Sequence, residues 1–460
     1  MNRSIGDWGK VAIAGFFLLF PLIVLPNTIT NFIWSEGKII LLVLIALLFA
    51  LMTRFKGLTP LFAILLSAQL LFFALSCFMS GSGIYFSFFG VNGRDDGLFY
   101  QTFLFIFSLG LFSYASRKSD VIIETIYKAS IPVLFIQILL VVLKVFNLDV
   151  VAIYAHGETA KFNDYTGTIG NYGALSYLIM IFYCLYISRY LQYKSRFDLF
   201  LIIIAILFIG FLSNRTTFAA VILINLLLLV KYRWIMIPLA LSALLFVWTP
   251  LGGLKVFKST NGALERTVKS SATLKYRLTY WALAADVFQK TPLQPWLGLG
   301  NDGFTLGQVR YGDTNAIVRA QLEEDGIKGK ITKVQKLPSS SKIETLSSLV
   351  VTTQAEDKKT NILYSYLIDK VHNNYLDMIM RGGVIYMIIN VLILVLPLLK
   401  IIKQKDFVSN SASLAIISTL AYYVFWFPFS SVEPLFYVFV VLAWARAYPI
   451  SPLVDLHKSK

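Results

Sequence analysis

Histidine and cysteine are scarce in this chain of 460 residues, which holds three of the first and two of the second. Charged residues are scarce too, at 14% of the whole. The cysteines, Cys77 and Cys184, both fall inside apolar runs, read as small core residues, and say nothing of a redox compartment. There is no H-E-x-x-H, no paired cysteine motif, and no glycine-rich loop followed by Lys and Ser/Thr, so zinc chemistry and nucleotide hydrolysis are disfavoured. Apolar residues, at 57% with a mean hydropathy of +0.70, rule out a soluble chain. They fall in about a dozen runs near 20 residues long, each enough for a helix to cross a ~30 Å hydrocarbon core. A β-barrel would show alternating segments of ~10 residues, and none occur. The fold class is therefore an all-α polytopic membrane protein.

Spans are expected at 11–31, 37–53, 58–80, 97–116, 123–146, 171–191, 197–213, 216–232, 233–251, 373–399, 411–429 and 433–449. The first is long and lacks a small-residue cleavage site, so it reads as a retained helix. The net charge of +16 is not spread as a nucleic-acid stripe. With the N-terminus inside, the short inner segments carry 17 Lys and Arg and the short outer loops carry 4. That bias puts both termini in the cytoplasm and a large polar insert outside. Three regions follow: spans one to nine in 1–251, an extracytoplasmic domain in 252–371, and spans ten to twelve with the C-terminus in 372–460. No internal repeat is visible, and the insert divides the spans nine to three, unlike a six-plus-six carrier. Few ionisable groups lie deep in the spans; Lys128, Lys144 and Arg381 are the main ones, placed to snorkel or to sit near helix ends.

Within the insert, 265–290 reads as a helix with an apolar stripe of Leu274, Leu278, Trp281 and Ala285, and with Lys275 and Arg277 off it. Residues 291–313 carry Pro292, Pro295 and five glycines, a turn-rich composition. Residues 320–360 are rich in Lys, Ser and Glu and read as a solvated lobe.

His372 stands where the insert meets span ten. An imidazole at that seam suits proton chemistry near neutral pH, or merely anchors a helix end. Arg215 occupies a short polar turn between spans eight and nine, on the outer side, where charge bias does not call for it. A guanidinium there can grip phosphate oxygens in bidentate fashion, or anchor a headgroup. Arg277 precedes Tyr280 and Trp281 by three and four positions, so it can lie on their faces while its fork points at an anion. Arg94 is followed by Asp95 and Asp96, which suggests an ion pair; the two carboxylates lack the third ligand a divalent metal would want. His156 and the stretch Gly167 to Gly173, with Asn171, form a further outer loop whose glycines either admit a ligand or make the turn. Arginines and one histidine on the outer side suit a lipid-linked diphosphate reacting with a hydroxyl group. No nucleotide sugar is supplied on that side, which favours a polyprenyl-diphosphate glycan as the activated donor.

Four places resemble the bacterial O-antigen ligase and O-antigen polymerase superfamily. They are Gly167-Thr168 with Gly170-Asn171, similar to its Gly-Asn loop ahead of a span, and Ser213 to Thr216 as its Ser-x-Arg-Ser/Thr turn. Arg277 to Trp281 with Pro295 to Phe304 is similar to its Arg-x3-Trp and Pro-x-x-Gly-x-Gly-x-x-x-Phe block. His372-Asn373 with Leu376 and Gly382-Gly383 is similar to its His-Asn motif. The likeness covers roughly 165–390. It departs at Arg381, where an acidic or neutral residue is the family pattern and where Asp377 is placed to pair. The resemblance implies a metal-independent, cofactor-free, inverting glycosyltransferase in the bacterial inner membrane, with its active site extracytoplasmic. Arg215 and Arg277 would hold the donor diphosphate and His372 would activate the acceptor. Arg94, Asn171, Tyr280, Trp281 and Asn373 complete the expected substrate contacts. Expected partners are the polyprenyl-diphosphate-linked glycan, a glycolipid, glycan or protein acceptor, and membrane lipids, but no nucleic acid. A ligase is the leading reading, followed by a polymerase and a protein O-oligosaccharyltransferase. The non-enzyme alternative is an exporter of polysaccharide or lipid-linked sugar.

Overall fold

The structure, a computed structural model, describes residues 2–26, 35–80, 84–90, 95–146, 148–156, 166–229, 236–248, 270–290, 296–301, 303–311, 330–336, 349–355, 358–364 and 370–449. Its apolar runs form helices α1 (Asn2–Leu19), α2 (Glu36–Thr53), α3 (Pro60–Ser80), α5 (Leu98–Val145), α7 (Tyr172–Tyr193), α8 (Arg196–Leu212), α9 (Arg215–Leu229) and α10 (Met236–Trp248). Beyond the insert come α13 (Asn374–Ile401), α14 (Phe407–Tyr423) and α15 (Glu433–Ala447). A helix overlaps every expected span, with the two around residue 120 fused into α5 across a break at Lys118. Five helices, α2, α3, α5, α7 and α13, are long and apolar enough to cross a membrane. Two short helices were not foreseen, α4 (Ile84–Phe89) and α6 (Val150–His156). The expected span 411–429 is cut short. α14 stops at Tyr423, and the aromatic run that follows is a turn carrying Trp426.

The bundle is organised around α7, which is buried without interruption from Gly173 to Ser188. Helices α5, α8, α9 and α14 enclose it, and it carries more tyrosine than the long apolar helices α2 and α3. Some of its polar side chains are paired inside, as in the 3.0 Å contact between Tyr177 Oη and Thr419 Oγ1. Helix ends are set by local chemistry. Lys194 and Ser213 take left-handed backbone conformations that stop α7 and α8. The loops expected outside meet at one end: Lys38 Nζ donates to the carbonyls of Ile23 (2.9 Å) and Thr168 (3.0 Å). The segments expected inside meet at the other, where Arg446 contacts Asp120 and Asp406.

The insert contributes α11 (Ser270–Lys290) and α12 (Gly303–Arg310). It also contributes an antiparallel sheet of three strands in the order β1-β2-β3: Lys330–Lys336, Leu349–Ala355 and Lys358–Tyr364. The solvated lobe expected at 320–360 thus holds regular structure, in keeping with the Val, Ile and Thr content of these segments. The apolar stripe expected on α11 is misplaced. Leu278 is exposed, and the covered face is Tyr280, Leu283, Ala284 and Val287, packed on Leu299, Phe304, Val371 and Met380. Counting back one turn from Tyr280 places Arg277 on this covered face. The turn-rich reading of 291–313 also yields in part, because 303–310 is helical.

Candidate functional site

α13 is the element on which the insert is seated. Gly383 interrupts it with φ +85°, and a side chain there would meet the Trp296 carbonyl oxygen at 2.1 Å. The exposed carbonyls of the interrupted turn accept from the insert: Leu299 N–H donates to Met380 O at 2.7 Å and Gly300 N–H to Arg381 O at 2.9 Å. Gly298 lies so close to Arg381 and Gly382 that a Cβ would approach their backbone to 2.5 Å. The glycines of the Pro295–Phe304 block therefore dock the insert onto α13 instead of cradling a phosphate.

His372 sits just before that helix, with φ +56°, a conformation non-glycine residues seldom adopt. The next residue, Asn373, caps α13 by accepting from Leu376 N–H at 3.1 Å. The His372 ring lies 6.0 Å from Tyr280, 5.2 Å from Trp426 and 5.4 Å from Phe427, centroid to centroid. Tyr280 is buried (2% exposed), and Trp281 stacks on Phe425 at 6.3 Å. Arg277 lies over Trp426, 5.3 Å from its centroid. The expected rings were its own neighbours Tyr280 and Trp281; the ring beneath it belongs to the turn after α14. Burial holds the Arg277 guanidinium below its ordinary range and the charge of Arg215 pushes the same way, while Tyr172 and Tyr422 oppose them. Among the described residues no carboxylate pairs with Arg277.

Arg215 is the first residue of α9, exposed, and follows Asn214, whose Oδ1 accepts from Thr217 N–H at 2.9 Å. Asn171 caps α7 in the same manner, accepting from Gly173 N–H (2.8 Å) and Ala174 N–H (3.1 Å). These caps adjoin: a Cβ on Gly173 would lie 3.1 Å from Asn214 Nδ2 and 3.3 Å from the Trp426 ring. The starts of α7, α9 and α13, the Arg277 guanidinium and the His372 imidazole are thus gathered about a single indole, with Arg277 within reach of the Arg215 charge. Helix starts present unpaired N–H groups and positive potential. Around the same indole, the buried atoms Trp281 Nε1, Trp426 Nε1, Asn374 Nδ2, Thr216 Oγ1 and Thr217 Oγ1 have no hydrogen-bond partner among the described residues. Each unpaired buried group costs about 1–3 kcal/mol, so the cluster favours an oxygen-rich ligand that would satisfy some of them.

Other expectations meet different fates. Arg94 lies outside the described residues. Its neighbour Asp95 bonds to Ser35, and Asp96 pairs with Lys370 (3.2 Å) and Arg381 (3.6 Å). Arg381 neither snorkels nor ends a helix: it is buried beneath the insert, and its guanidinium donates to Asp96 O and Asn301 Oδ1, both at 2.9 Å. Lys144 does sit at a helix end, 2.9 Å from Asp149. The Gly167 turn packs on Gln137, whose Oε1 accepts from Thr168 N–H at 3.2 Å, so the turn-making reading holds there. No group of three or more metal-ligating side chains occurs among the described residues. Trp426, the centre of the cluster, was not singled out from sequence, because aromatics in an apolar run read as core.

Comparison with family models, with curated proteins and with solved structures returns no match for this chain.

Proposed function

We propose that the cluster around Trp426 is the active site of a membrane glycosyltransferase that uses a polyprenyl-diphosphate-linked glycan. The observation that carries this reading is the meeting of Arg215, Arg277 and His372 at three helix starts, with a partly buried Arg277 guanidinium that no described carboxylate neutralises. A diphosphate supplies the missing negative charge and the acceptor oxygens. In the reaction, the acceptor hydroxyl oxygen attacks the anomeric carbon while the bond from that carbon to the diphosphate oxygen breaks. The electron pair departs with the polyprenyl diphosphate, where Arg215 and Arg277 stabilise it. The hydroxyl proton passes to His372. Attack opposite the leaving group inverts the anomeric centre.

The motif resemblance supports the same class, with transfer to a lipid or cell-surface acceptor ahead of polymerisation of lipid-linked repeats. It also supports placing the site on the outer face of a bacterial inner membrane. The test is reconstitution in nanodiscs with donor and acceptor. Turnover is expected to survive EDTA and to collapse in Arg277→Ala and His372→Ala; full activity in both variants rejects the proposal. In cells lacking the protein, full-length lipid-linked polymer accumulates if it is a ligase, and single repeats accumulate if it is a polymerase.

A further inference from the structure

Lys370, two residues ahead of His372, is 1% exposed. Its Nζ lies 3.2 Å from Asp96 Oδ2 and 3.7 Å from Asp377 Oδ2. Asp377 is five residues beyond His372, in the first turn of α13, so the two partners bracket the histidine along the chain. Asp96 stands just before α5 and is itself fixed by Arg381, and by Asn301, whose Nδ2 donates to Asp96 Oδ1 at 3.4 Å. Two positive and two negative side chains are thus taken out of water together. Burying ions costs several kcal/mol each, and apolar packing of equal volume is often as stable, so such a cluster is weak evidence of a stabilising role. What it brackets along the chain is a residue in the left-handed region, at φ +56°, a conformation that costs free energy in a non-glycine residue.

We propose that Lys370 and Asp377 are positioning residues, a clamp closed on Asp96 that holds His372 in its left-handed conformation against Tyr280, Trp426 and Phe427. This rests on the reading that His372 acts on the acceptor hydroxyl. The clamp touches no substrate. It fixes where the imidazole stands, and a displacement of about 1 Å costs roughly 100-fold in rate.

The test is the double variant Lys370→Met/Asp377→Asn, which removes one charge of each sign and leaves the pair of Arg381 with Asp96. Three measurements are made in nanodiscs: turnover, affinity for the polyprenyl-diphosphate donor, and the spectrum of ¹⁵N-labelled histidine, which contains three residues. The His372 ring signal should move, turnover should fall about 10- to 100-fold, and donor affinity should stay within about twofold. An unmoved His372 signal, or a moved signal with wild-type turnover, overturns the clamp. A parallel loss of donor affinity also overturns it, since that marks a general collapse of the site. His372→Ala in the same assay separates the two ideas. If it is inactive while the double variant is fully active, only the clamp fails; if it is active, the reading of the site fails. Should the double variant not fold, Lys370→Arg keeps the charge on a bulkier planar head, and the same measurements decide by the same outcomes.

Discussion

Arg189 and Arg277 lie at opposite ends of the bundle, each with its guanidinium over an aromatic ring. Arg189, four residues before the end of α7, lies 4.0 Å from the Tyr127 centroid. It also meets Glu124 at 2.5 Å and Asp198 at 3.6 Å. Arg277, near the start of α7, has its indole but no described carboxylate. The first arrangement is complete within the chain: charge, hydrogen bonds and ring contact are all supplied by neighbouring helices. The second is a partly buried cation with no described carboxylate beside it. An arginine on a ring is therefore no signature of a site. The carboxylate beside it, or the lack of one, is what separates a fastening from a receptor.

The sharpest way to break this contrast is to remove each arginine in turn. Arg277→Ala should cut turnover about 1,000-fold, as loss of a preorganised donor to a developing anion does, while the melting temperature holds or rises. Arg189→Ala should do the reverse, leaving turnover near wild type and costing about 2 kcal/mol of stability, the scale of a hydrogen bond to a charged group. Equal effects of the two on turnover would erase the distinction. His372→Ala should follow with a loss of about 100-fold, within the range for general acid–base groups. Its pH–rate profile should lose the limb that reports the imidazole.

A smaller effect sharpens how the two ends are fastened. The insert is attached to α13 by main-chain hydrogen bonds reached through glycines, beside its buried ion cluster, while Arg446 with Asp120 and Asp406 ties the opposite end. Gly383→Ala should therefore destabilise by about 2–4 kcal/mol, from strain at φ +85° and collision with the Trp296 carbonyl. A chemical-denaturation midpoint equal to wild type would contradict the docking. The smallest effect is electrostatic. Burial, reinforced by Glu36 and Asp96 and opposed by the Ser35 bond, raises the Asp95 carboxyl to about 6. An acid with a raised folded value lends stability below its unfolded value of 3.8 and loses it as pH climbs through about 6. Asp95→Asn should thus melt higher than wild type above pH ~6, and the advantage should vanish below pH ~4. A constant difference across that window would argue against the raised value.

The helices were legible because hydropathy over 20 residues is a local property. Arg215, Arg277 and His372 were legible because each interrupts an otherwise apolar or turn-rich context. The ion cluster was not, since Asp96 and Lys370 are 274 residues apart and nothing local marks them as partners. Trp426 was hidden by its surroundings: Phe425, Phe427 and Phe429 make the segment read as the end of a span, when α14 has already stopped. The stripe on α11 was misplaced because Leu278 outweighs Ala284 on any hydropathy scale. The packing partner, not the scale, chose the face. The sheet at 330–364 escaped notice because its strands are rich in lysine and threonine, which reads as solvated chain until a partner strand is known.

The account stands on Arg277 being the receptor for a diphosphate. The most direct measurement is the affinity of polyprenyl diphosphate for the nanodisc-embedded protein, followed by ³¹P resonance, for wild type, Arg277→Ala and Arg189→Ala. Binding should weaken at least about tenfold in Arg277→Ala, the worth of one charge-assisted hydrogen bond, and stay at the wild-type value in Arg189→Ala. Equal affinity in wild type and Arg277→Ala would contradict it.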